Sequence, residues 1–76
     1  MPRASLAHLT YVEAHGYRVE RWGDHGWTLI DVDGGGAQLQ IEGHGGIAPR
    51  QVDAVGEAMR RIAADEQTRA RAREQS

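Results

Sequence analysis

The chain has 76 residues, with nine arginines and no lysine, eleven acidic residues, four histidines and no cysteine, for a formal net charge of −2. One small domain of this size buries about 60% of its unfolded surface, which leaves little room for an enclosed substrate cavity. Without cysteine, disulfides and thiolate zinc sites are excluded and a reducing cytoplasm is the expected location; no apolar run nears the roughly 18 residues of a membrane span, so no membrane association is expected.

Ser5 reads as an N-cap, and Leu6, Leu9 and Val12 follow at helical spacing. Gly16 supplies the left-handed residue that ends helices, which predicts a helix over 5–15. Three short runs come next, over 17–22, 27–32 and 37–42, separated by Gly-rich turns, and they read as strands. The stretch GHGGIA reads as a linker. Pro49 suits the first residue of a second helix, with Gln51 as a capping partner and Ile47 and Val52 spaced as a hydrophobic staple. Val52, Val55, Met59 and Ile62 give that helix one apolar face. Beyond Asp65 the apolar stripe stops. The sequence therefore predicts a single α+β domain over 1–66, with an Arg-rich frayed helix or tail over 67–76. Its order is α-β-β-β-α, a three-stranded antiparallel meander with both helices on one face.

A register follows if the first turn is the four-residue loop GDHG and the second centres on Gly34 and Gly35. Trp22 then faces Trp27, Val19 faces Ile30, and Ile30 faces Leu39. One face would carry Tyr17, Val19, Thr28, Ile30, Val32, Ala37, Leu39 and Ile41 and pack on the helices. The other would carry Arg18, Trp22, Trp27, Leu29 and Asp31, with Arg18 opposite Asp31. Trp22, Trp27 and Leu29 would form an exposed apolar patch for a protein partner, with Arg18 and Arg21 as nearby cations. Arg18 and Arg21 fall on opposite faces.

His25 lies in the first turn beside Asp24, and His44 follows the third strand, which suggests that the two meet. No tight ligand spacing is present, so neither a metal nor a cofactor is expected. His8 and His15, with Tyr11 between them, read as surface residues of the first helix.

The run Gly16–Tyr17, Arg21, the turn Gly23-Asp24-His25, and then His44-Gly45-Gly46 before a helix resembles the HicA-type mRNA interferases. These are small toxins whose fold is similar to double-stranded-RNA-binding domains. The resemblance spans about residues 6–62 and implies His25 as catalytic, His44 as the second histidine and RNA as the substrate. The chain carries Asp24 where that family has serine, and it is acidic where those toxins are basic. Residues 1–49 sum to −3 and residues 50–76 to +1, which is not the balance of a protein built to neutralise phosphates. The charge therefore ranks first a non-catalytic module binding a protein partner through the outer sheet face, as an adaptor, an antitoxin-like protein or a phage or mobile-element inhibitor does. The HicA-like ribonuclease is the alternative.

Overall fold

A computed structural model describes residues 5–74. Helix α1 spans Leu6–Ala14, and Ser5 caps it by accepting the His8 backbone N–H at 3.1 Å. Gly16, at φ +90°, turns the chain out of the helix. Strands β1 (Tyr17–Trp22), β2 (Gly26–Asp31) and β3 (Ala37–Leu39) follow, and helix α2 runs over Gln51–Glu74. The sheet is an antiparallel meander in the order β1-β2-β3. This is the expected α-β-β-β-α architecture.

The register differs from the expectation by one residue. Val19 pairs with Leu29, Trp22 with Gly26, and Leu29 with Leu39. The first loop is therefore Gly23-Asp24-His25, and Gly26 belongs to β2. Residues 32–36 form the second loop, in which the Asp31 carboxylate accepts the Gly34 N–H at 3.0 Å. Because side chains alternate, the shift turns β2 over while β1 and β3 keep their expected faces. Trp27 and Leu29 point towards the helices; Thr28 and Ile30 point away from them.

Apolar burial explains the outcome. Leu29 is fully buried among Val12 of α1 and Ala54, Val55, Ala58 and Ile62 of α2, with Tyr17, Val19, Trp27 and Leu39 packed around them. The observed phase thus places an indole and a leucine inside. The expected phase would have placed Thr28, Ile30 and Val32 there and left Trp27 in water, and an aromatic ring carries more apolar area than any of these. Val32 is 45% exposed, and Leu6, the first residue of the expected α1 stripe, is 79% exposed.

The chain does not leave the sheet directly after β3. Trp27 exchanges two backbone hydrogen bonds with Ala48, at 2.8 and 2.9 Å, where a continued β3 would have paired. Between them residues 40–47 form an excursion that folds over the sheet, and Ile41 from it is 1% exposed in the core. Helix α2 begins two residues after Pro49 and continues through the Arg-rich segment as regular helix to Glu74.

Candidate functional site

The outer face of the sheet, away from the helices, carries Arg18, Glu20 and Trp22 from β1, Gly26, Thr28 and Ile30 from β2, and Gln38 from β3. Thr28 is polar yet fully buried, because Gly46 lies over it. Its hydroxyl donates to the Gly46 carbonyl at 3.1 Å, while the Gln38 amide donates to the Thr28 hydroxyl at 2.8 Å and to the same carbonyl at 3.1 Å. These bonds satisfy groups that would otherwise be costly to bury. They also fix the excursion on this face.

The next residue, Ile47, sits over Gly26, and its methyl occupies the space a Cβ there would need. Gly26 is the cross-strand neighbour of Trp22. Ile47 is 42% exposed and Trp22 53% exposed, so two apolar side chains open to solvent flank the buried Gly26. This patch replaces the expected one. Trp22 stays on the outer face, but Trp27 lies on the helix side with the Arg21 guanidinium 5.7 Å from its ring centroid, and Leu29 is buried. The Trp22–Trp27 pair does not form, since Trp22 faces Gly26 and Trp27 faces Arg21. Arg18 lies opposite Ile30 instead of Asp31, and pairs with Glu20 on its own strand at 3.3 Å. Arg18 and Arg21 are on opposite faces, as expected.

His25 is exposed in the first loop, where Arg21 donates to the Asp24 carbonyl at 3.2 Å. His44 faces the start of α2: its Nε2 lies 3.9 Å from the Asp53 carboxylate, across a shallow hollow also lined by Gly56 and Arg60. The Arg50 guanidinium donates twice to Asp53, at 3.0 and 3.1 Å, and holds that carboxyl below its ordinary range, with a smaller contribution from His44. Among the described residues no group of three or more histidines and carboxylates could hold a metal. No helix there is long and apolar enough to cross a membrane.

One polar hub was not anticipated. Glu57 is 8% exposed on α2 and accepts the Glu42 backbone N–H at 2.9 Å, Arg60 at 3.0 Å and Arg61 at 3.0 Å. The Glu42 N–H is the main cause of its lowered pKa; burial opposes the shift and the two arginines add to it. Arg61 also donates to the Gln40 carbonyl at 2.9 Å. The hub therefore ties the start of the excursion, at Gln40 and Glu42, to α2. A glutamate with arginines three and four residues later was its signal in the sequence. Compared with family models, curated proteins and solved structures, the chain matches none.

Proposed function

We propose that this chain is a small non-catalytic module that binds a protein partner through the outer face of its sheet. The observation that carries this reading is the exposure of Trp22 beside Ile47, on a face that neither helix covers. Tryptophan loses little conformational freedom on binding and is enriched among residues that dominate interface energies. Ile47 packs over the buried Gly26 beside Trp22, while Arg18, Glu20 and Gln38 supply a polar rim. That pattern, an apolar centre within a polar margin, is the anatomy of a protein-binding surface.

A ribonuclease of the HicA type needs a histidine and a set of cations around one phosphate. Arg18 and Arg21 are on opposite faces, and Arg50, Arg60 and Arg61 are each engaged by a carboxylate of α2. The arrangement therefore favours the binding module. The test places a photo-crosslinking residue at Arg18 in cells of the source organism, identifies the captured protein, and titrates it in purified form. Trp22→Ala should weaken that binding by about tenfold or more, with the fold intact by circular dichroism. Unchanged affinity would remove Trp22 as the anchor. Translation arrest by the wild type, relieved by His25→Ala, would establish the ribonuclease in its place.

A further inference from the structure

Strand β1 is an edge of the sheet, and its free side is built to pair with another strand. The Val32 N–H donates to the Gly16 carbonyl at 2.9 Å, which makes residues 16 and 32 a hydrogen-bonded antiparallel pair. Backbone groups alternate in direction along a strand. With the observed register, Arg18, Glu20 and Trp22 therefore turn their N–H and C=O groups towards β2. Tyr17, Val19 and Arg21 turn theirs outward. Among the described residues no backbone group from another segment reaches those outward groups.

Native edges are usually blunted by proline, a bulge, shortness or charged side chains; of these β1 has only charge, from Arg18, Glu20 and Arg21. β3 has only three residues, and Ala48 continues its side of the sheet. β1 has six residues, no proline, and an unbroken ladder from Tyr17 to Trp22. We infer that β1 pairs with β1 of a second copy, antiparallel and two-fold symmetric about Val19, so that two sheets join into one.

Charge selects both the occupant and the register. Outward groups must meet outward groups, so allowed registers differ by steps of two residues. Centring on Val19 sets Tyr17 against Arg21 and Val19 against its own copy, and forms about six hydrogen bonds. The intervening residues set Arg18 against Glu20 twice, at the positions where cross-strand side chains come closest. The neighbouring registers would centre on Arg18 or on Glu20 and place like charges face to face. Opposite charges two residues apart are thus self-complementary in one antiparallel register. Arg18 and Glu20 now pair with each other at 3.3 Å, with side chains 54% and 44% exposed, so both are free to exchange partners on the outer face. The two-fold axis stands perpendicular to the sheet, keeping all helices on one side and both outer faces on the other.

The inference is independent of the protein-partner reading, and its test reads self-association and β1 amide exchange, where that reading is tested by the Trp22→Ala effect on a captured partner. Sedimentation of the full chain from about 1 µM to about 1 mM should show conversion from monomer to dimer. Over the same range the amide protons of Tyr17, Val19 and Arg21 should pass from fast to slow exchange, while those of Arg18 and Glu20 stay slow throughout. Arg18→Glu alone, or Glu20→Arg alone, should weaken dimerisation by about tenfold, since two opposite pairs become like pairs. An equimolar mixture of the two single variants should recover wild-type association, because each then supplies the charge that the other needs. A monomer at every concentration would overturn the inference. So would a dimer indifferent to the reversals, or one whose newly protected amides lie outside β1.

Discussion

Replacing Glu57 probes how the excursion is held to α2. Glu57→Ala removes the acceptor of the Glu42 N–H and of two guanidinium groups at once. Leaving a part-buried N–H without a partner costs about 1–3 kcal/mol. The arginine side chains are 55% and 34% exposed, so each contributes only the ~0.2–1 kcal/mol of a solvent-screened pair. A total loss of about 1.5–5 kcal/mol is expected, which for a domain of this size lowers Tm by at least roughly 6 °C. Glu57→Gln keeps an acceptor for the N–H and should lose about half as much.

The same residue sets a pH dependence. Its folded pKa lies below the ordinary value of 4.5, chiefly because of the Glu42 N–H. A lowered folded pKa means that the stabilisation is complete above the ordinary value and is lost as pH falls below it through the depressed one. Urea unfolding between about pH 7 and pH 3 should therefore show wild type and Glu57→Gln converging at the acid end. A gap that stays constant across this range, or a loss below about 0.5 kcal/mol for Glu57→Ala, would refute the role given to the carboxylate.

Further substitutions test the register and the turn that leaves α1. Leu29→Ala should cost about 2–5 kcal/mol and Ile30→Ala less than half of that in urea unfolding; the reverse order would restore the register shifted by one residue. Gly16→Ala should cost about 1–3 kcal/mol, because φ is +90° and the new methyl meets the Asp33 carboxylate. Adding Asp33→Gly should recover only the steric share, and full recovery would mean that the backbone angle carries no strain.

Much of the fold is legible in the residues. The Ser5 cap, the Gly16 stop and three runs broken by glycine give the element order, because each is a local signal. The phase of β2 is not local. Its sequence, GWTLIDV, has large apolar side chains in both phases, so alternation alone cannot choose between Trp27 with Leu29 and Ile30 with Val32. Loop length decides, and Gly26 is equally suited to a turn or a strand. What settles it is tertiary: Ile47, more than twenty positions away, fills the space beside Gly26, and the core takes the indole. The same reason limited the site. Trp22 is placed correctly because β1 keeps its phase, whereas Trp27 and Leu29 move with β2. Ile47 reads in the sequence as a staple residue for α2 and not as part of the outer face, because the Gly-rich run before it reads as a linker, although Gly46 supplies the carbonyl that seals Thr28.

Helix α2 has a consequence for how the molecule comes apart. Its last core residue is Ile62, and every described residue from Ala63 onward is exposed, with Glu66 still reaching His15 at 3.8 Å, so about half of a 24-residue helix contributes nothing to the core, within a longest dimension of 48 Å. Hydrogen exchange should therefore run as a gradient along one continuous element. Amides near Arg71 would exchange by local unwinding of the exposed half, while those between Ala54 and Ala58 would wait for global opening. A protease that cleaves after arginine would meet Arg69 and Arg71 on the exposed half. It would trim the molecule in steps to a shorter, still folded body, with Arg60 and Arg61, anchored to Glu57, marking where cutting begins to cost the fold itself.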